Sequence, residues 1–403
     1  MKNLIKSIYL LNILVGIIFS PNLFAQEQFN YDESKVPDLV LPDPFVSAKG
    51  EIIKTVDEWE SIRRPELIRL FAENVYGGIP RDFDEIHFNV STDSDHLYKE
   101  VAMKKNVTIR VTRNGKAQAI KLFVFLPLEG KGPHPVFLLI SHRNVQALLD
   151  DKEDRFFPIA QIVEKGYAAA IFDVVDVSPD DKERFTNGIL ESLYPEELKN
   201  SGGMRGLAAW AWGAMRAMDY FESENAIDHK RAAIVGHSRG GKAALWAGAN
   251  DKRWAVVISN ESGCGGAALS RRRFGETVKR INTSFPYWFN DNFKAYNDNE
   301  DALPIDQHLL AACIAPRSIY IASAIEDQWA DPKGEFLSLK LGSRVYSEIY
   351  GIKVDLPEIF ENHQRTIHTK SVGYHLREGK HNLTLYDWER FMDFVEKEFL
   401  LAR

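Results

Sequence analysis

The chain has 403 residues, 45% of them hydrophobic and 27% charged, with 50 Lys and Arg against 57 Asp and Glu for a formal net charge of −7. That apolar content is ample for a large core, and the mildly acidic balance makes the chain a poor nucleic-acid binder. Its two cysteines, Cys264 and Cys313, allow at most one disulfide.

Lys2 and Lys6 form a positive head, Ile8 to Phe19 is an apolar run, and Leu23-Phe24-Ala25 before Gln26 is a small-residue cleavage site. Residues 1–25 therefore read as a signal peptide removed after Ala25, because the apolar run is too short to favour a spanning helix. The mature chain is expected to be exported, periplasmic or secreted, with no membrane attachment, and to act as a monomer. Residues 26–403 read as a single catalytic domain, of which 26–105 form an N-terminal wrap and helix. Gln26 to Gly50 is rich in Pro and Asp and should run over the surface, and Val56 to Val75 has helical spacing at Trp59, Ile62, Leu67, Leu70 and Phe71.

Strand-like runs follow at Val107 to Val111, Ala119 to Leu126 and Val136 to Ser141, with Asn114-Gly115 and Gly130-Lys-Gly-Pro133 between them. A helix is predicted near Ile159 to Lys165, a strand at Ala168 to Asp173, a helix at Met204 to Phe221, and strands at Ala232 to Val235, Ala255 to Ser259 and Ser318 to Ser323. Such alternation predicts an α/β fold with a mostly parallel central sheet covered by helices on both faces, its site beyond the C-terminal strand ends.

Gly236-His237-Ser238-Arg239-Gly240 lies where one of these strands should turn into a helix. A G-x-S-x-G turn in that setting lifts a serine Oγ out of the sheet and aims helix N–H groups at a developing oxyanion, which makes Ser238 the candidate nucleophile. A serine needs an imidazole to take its proton and a carboxylate to orient that imidazole. On this fold the chain order is Ser, then Asp or Glu, then His. Glu261 follows the run Ala255 to Ser259, and Asp327 follows Ile319 to Ser323. Of the late histidines His363, His368, His375 and His381, only His381 sits in a short polar loop just before a strong amphipathic helix, so His381 is the expected base.

These motifs, with Asn260-Glu261-Ser262-Gly263-Cys264-Gly265-Gly266, Phe285-Pro286-Tyr287-Trp288-Phe289-Asn290, Leu303-Pro304-Ile305-Asp306-Gln307-His308 and Gly379-Lys380-His381-Asn382, resemble the glucuronoyl esterases of carbohydrate esterase family fifteen, α/β-hydrolases. The match runs from about Val107 to the C-terminus. The resemblance implies hydrolysis of esters between the glucuronic acid side groups of xylan and lignin alcohols, with no metal or organic cofactor. It implies Ser238 as nucleophile, His381 as base and Arg239 as a side-chain donor to the oxyanion. It also implies Lys242, Glu276 and Trp329 as contacts to the uronate sugar. Family members place the acid at the position of either Glu261 or Asp327; Glu261 is expected to be the main partner here and Asp327 a second carboxylate. The disulfide that braces the fungal members would fall at His237 and Asn382, so it is absent and the chain resembles the bacterial branch. Arg271-Arg272-Arg273 reads as a solvated charged face or an approach to an anionic polysaccharide. Two other classes stay open. An acetyl-xylan esterase of the same fold would not need Lys242, Glu276 and Trp329, and a non-catalytic carbohydrate-binding protein would not need the triad.

Overall fold

The computed structural model describes residues 29–91, 97–130, 132–151, 153, 155–358 and 366–401. The leader expected at 1–25 lies outside them. Among the described residues the strands are β1 (Glu85–Ser91), β2 (Leu97–Tyr98), β3 (Ala102–Arg113), β4 (Lys116–Pro127), β5 (His134–Ser141), β6 (Ala168–Asp173), β7 (Ile227–His237), β8 (Val256–Asn260), β9 (Ser318–Ala324), β10 (Thr366–Thr369) and β11 (Val372–Arg377). They form one sheet in the order β1-β3-β4-β6-β5-β7-β8-β9-β11-β10, with β2 paired to β3 outside this path. The pairs β6/β5, β5/β7, β7/β8, β8/β9 and β9/β11 are parallel. The wing β1/β3/β4 is antiparallel and joins through β4/β6, and β10 is antiparallel to β11.

The apolar strand runs are explained by burial on both faces. Along β5, Val136, Leu138 and Ile140 enter the core that also holds Trp210, Trp212 and Trp246 of the helices Gly206–Ser223 and Arg239–Asn250. Phe137 and Leu139 enter a second core with Ile159, Ile162, Trp388 and Phe391 of the helices Ile159–Glu164 and Leu385–Leu401. The Asn114-Gly115 signal is a two-residue hairpin, with Arg113 opposite Lys116 and φ of 51° and 73° at the turn residues. Among the described residues no helix is long and apolar enough to cross a membrane.

Val56 to Tyr76 is helical throughout, opened by a capping box between Thr55 and Glu58 and interrupted by π-helical stretches at Trp59–Arg63 and Ala72–Tyr76. Trp59, Leu67 and Phe71 are buried, but Ile62 is exposed. The extra residue in the π turn takes Ile62 off the apolar face. The segment 29–50 does run over the surface, held by Gly275 N–H to Asn30 O (2.8 Å), Arg63 to the carbonyls of Asp43 and Pro44, and Glu33 to Arg272 and Lys333.

Three features depart from the sequence reading. The hairpin strands β10 and β11 were not expected, because Gly373, His375 and Arg377 interrupt the apolar pattern; their polar groups are buried and paired with one another's neighbours instead. The antiparallel strands β1 and β2 were likewise unforeseen. The arginine run is not a solvated face: Arg271 pairs with Asp306, Arg272 with Asp331 and Glu33, and Arg273 with Glu300 and Asp301. Arg271 and Arg272 are buried, and all three guanidiniums are occupied by local acids, so the run knits loops together. Cys264 and Cys313 are both buried and free.

Candidate active site

The crossovers from β5 to β6 and from β7 to β8 leave the central pair β5/β7 in opposite directions, so the crevice at their C-terminal ends is the switch point where such sheets bind ligands. Ser238 stands there, between β7 and the helix Arg239–Asn250, with φ 56° and ψ −124°. A non-glycine residue held there is strained, as a sharp strand-to-helix elbow requires. The bend is possible because a Cβ on Gly236 would lie 2.0 Å from Gly240 O, and one on Gly240 2.9 Å from Ile140 O. The Ser238 N–H is tied to Asn260 O at 2.8 Å, which fixes the elbow against β8.

His381 lies in the loop between β11 and the helix Leu385–Leu401, 41% exposed at its side chain. Its Nδ1 faces both carboxylates, Asp327 Oδ2 at 2.6 Å and Glu261 Oε2 at 3.2 Å. Both acids are buried at the ends of neighbouring strands, Glu261 after β8 and Asp327 after β9. The two expected acids thus converge on one ring nitrogen, and the shorter bond belongs to Asp327 rather than to Glu261. Glu261 is engaged elsewhere: Oε1 accepts from the Arg377 guanidinium, and Oε2 accepts from the Asn382 N–H at 2.9 Å. Burial lifts the Glu261 carboxyl to about 7, although His381 and Arg377 draw it down. Burial disfavours the imidazolium of His381, but the hydrogen bonds and charges of Asp327 and Glu261 outweigh it and raise the ring to about 9.

These three groups are also the one cluster of three His, Cys, Asp or Glu donors, among the described residues, close enough to hold an ion. Their donor atoms already face one another in the order nitrogen to carboxylate that a triad needs.

His375, the nearest alternative base, is fully buried, its Nδ1 3.0 Å from the Tyr320 hydroxyl and its Nε2 2.8 Å from Asp387 Oδ1. Burial holds it below its ordinary value. It belongs to a chain of buried groups that ends at the site: Asp387 accepts from Arg377 Nε at 3.0 Å, and Arg377 grips Glu261 and the carbonyls of Lys380 and Asn382. Arg377 was missed in the sequence because its strand was missed.

Arg239 opens the helix after the nucleophile. One nitrogen donates to Asp180 Oδ2 at 2.5 Å, and the guanidinium lies over the rings of Trp288 at 4.4 Å and Phe285 at 5.0 Å. Those two rings stack with centroids 3.7 Å apart, and Asp180 Oδ1 also accepts from Tyr287 Oη and Trp288 Nε1. The buried Nε of Arg239 has no partner. Asp180 therefore fixes the arginine plane and leaves the Nε–H among the unspent donors. Its signal was readable, since Asp180 follows strand β6 on the side of the sheet where sites form.

Lys242, one turn beyond Ser238, is buried, and its ammonium donates to Ser262 O. Burial pulls it below the usual lysine value against the attraction of Glu276. Burial raises Glu276, which Lys242 and a hydrogen bond from Trp329 oppose. The Glu276 N–H donates to Trp329 O at 3.0 Å, and Phe29 packs edge-on against the Trp329 ring at 4.7 Å. Lys242 and Glu276 are thus within electrostatic reach of each other, and Glu276 is tied to Trp329.

A sequence model of fungal glucuronyl esterases matches residues 109–350. The carbohydrate esterase MZ0003, from an unknown prokaryotic organism, is 40% identical over 408 residues, covering 93% of this chain and 94% of its own. The 4-O-methyl-glucuronoyl methylesterase of Thermothelomyces thermophilus is 30% identical over 77% of this chain and 72% of its own. The glucuronoyl esterase structure from Solibacter usitatus superposes with a TM-score of 0.84 at 35% identity, covering 91% of this chain and 100% of that one. A mutant of the Sporotrichum thermophile enzyme, solved in complex with methyl 4-O-methyl-β-D-glucopyranuronate, superposes with a TM-score of 0.68 at 25% identity over 90% and 88% of the two chains. With the elbow, the imidazole and its carboxylates and the matched residues in agreement, the chain belongs to the glucuronoyl esterases of carbohydrate esterase family 15.

Proposed function

We propose that this protein hydrolyses esters of glucuronic acid carried on glucuronoxylan, through an acyl-enzyme on Ser238. The observation that supports it most is an imidazole whose Nδ1 is braced by two carboxylates at the strand ends beside the Ser238 elbow, in a chain that also carries buried Lys242 one helical turn beyond Ser238 and buried Glu276 acting on it electrostatically. His381 takes the Ser238 proton as Oγ attacks the ester carbonyl, while Asp327, seconded by Glu261, holds Nδ1–H and stabilises the imidazolium. Negative charge on the carbonyl oxygen is met by Arg239, whose plane Asp180 and the Phe285 and Trp288 rings fix in advance. Collapse of the tetrahedral intermediate passes the His381 proton to the departing alcohol. Water then repeats the sequence and frees the uronate and Ser238. Lys242 and Glu276 hold sugar hydroxyls, and Trp329 lines the pocket.

The buried charge beside the nucleophile favours a uronate over an acetyl group, which has no hydroxyls for Lys242 and Glu276 to read. Parallel assays on benzyl D-glucuronate and on acetylated xylan test this. Turnover of the glucuronate ester, absent in Ser238→Ala, is expected; a clear preference for acetylated xylan would overturn the reading. A polymeric plant substrate also fits export on the 1–25 leader. N-terminal sequencing of the secreted protein should begin at Gln26.

A further inference from the structure

We propose that Arg143 is a stacking platform for an aromatic leaving alcohol, an inference that rests on the acyl-enzyme reading above. In that reaction the alcohol oxygen receives its proton from His381 Nε2, so the alcohol must leave along the wall on which His381 stands. Packed, buried rings connect His381 with Arg143. His381 lies 4.5 Å from the ring of His237, His237 lies 5.6 Å from Phe156, and the Arg143 guanidinium carbon lies 3.8 Å above the centre of the Phe156 ring.

Arg143 differs from the other arginines of the site. The Arg239 and Arg377 guanidiniums are each paired with a carboxylate. Arg143 is anchored by its backbone, through Ser141 Oγ, while its guanidinium, which partial burial holds below the usual arginine value, has neither a hydrogen bond nor an ion pair among the described residues. Its charge bears on His142 and His237. One face of the plane is taken by Phe156. The uronate carboxyl of the substrate is already esterified, so the Arg143 charge has no sugar acid to neutralise. A planar, weakly hydrated guanidinium already seated on one aromatic ring can accept a second on its free face. The aryl group of a lignin-type alcohol has that chemistry, and a methyl group does not.

The test compares kcat/KM for the methyl, benzyl and cinnamyl esters of D-glucuronate in the wild type, Arg143→Ala and Arg143→Lys. Since kcat/KM covers steps through departure of the alcohol, an alcohol contact must appear there. Arg143→Ala is expected to leave the methyl ester within about twofold and to lower the two aryl esters about three- to tenfold, the size of an exposed to partly buried cation–π contact. Arg143→Lys is expected to share the aryl loss, since a lysine keeps the charge without the plane. Hydrolysis of the acyl-enzyme, common to all three esters, should not change. Equal losses on all three esters, unchanged aryl esters in Arg143→Ala, or full rescue by lysine would each overturn the proposal. Methyl ester turnover by the wild type and by Arg143→Ala reports separately on the underlying reaction; a wild type inert on every glucuronate ester would overturn both readings.

Discussion

The parallel strands β5 to β9 with β11, and the antiparallel wing β1 to β4, share one hydrogen-bond ladder, yet the candidate catalytic groups gather only at the ends of the parallel strands. Parallel strands joined by crossovers bring every C-terminal end to one edge, so Glu261 after β8, Asp327 after β9 and His381 after β11 meet although up to 120 residues separate them, at the edge where Ser238 follows β7. Hairpins alternate direction and scatter their turns, and the wing contributes Val107, Ile109, Val111, Ile120, Leu122 and Val124 to the core instead. The parallel half therefore spends its strand ends on chemistry, where strain and buried charge cost stability, and the wing supplies packing without such costs.

Substitutions in the two regions should separate activity from stability. The largest effect is expected for Ser238→Ala, with glucuronate ester hydrolysis abolished and Tm unchanged or raised, since the strained elbow contributes chemistry and little packing; calorimetry beside an ester assay checks both halves. Next comes Arg239→Ala, expected to lower kcat by about 10²–10³ with less effect on KM, and not to be rescued by Arg239→Lys. A change in KM alone would make Arg239 a binding group. Asp180→Asn should follow, with kcat down about tenfold, because it loosens the plane of Arg239 without removing its charge.

The smaller effects sharpen the contrast. Both carboxylates raise His381, so Glu261→Gln removes one raising influence and should move the acid limb of kcat/KM to lower pH. The 2.6 Å bond of Asp327 predicts that Asp327→Ala costs more kcat at neutral pH than Glu261→Gln, and a double-mutant cycle should show a clear interaction term. Equal pH profiles in Glu261→Gln and wild type would show that Glu261 acts on the loop alone. At the far end, Ile109→Ala in β3 should cost about 2–5 kcal/mol of stability and leave kcat of the folded enzyme unaltered, measured by denaturant unfolding and by assay.

The legible part of this molecule follows the same division. Strands buried on both faces, such as Ala168 to Asp173 and Ser318 to Ala324, announce themselves as apolar runs, and the elbow announces itself through its glycines. From those, chain order led to both acids and to His381. The illegible part is where polar side chains are buried in pairs. Strand β11 hides Arg377 and His375, because each looks like a surface residue until Asp387 and Glu261 are seen beside it. Their partners come from other elements, so no local pattern records them. The arginine run at 271–273 misled for the same reason. The ranking of Glu261 and Asp327 is a matter of tenths of an ångström at Nδ1, which spacing in a sequence does not encode.

The loop that carries His381 is fastened by Arg377 to the carbonyls of Lys380 and Asn382 and by Glu261 to the Asn382 N–H, while both thiols of the chain lie free and buried elsewhere. Reductants have no covalent brace to cut there, and oxidants none to make. The position of His381 is thus held by hydrogen bonds and ion pairs with no covalent tie to the redox poise of its surroundings.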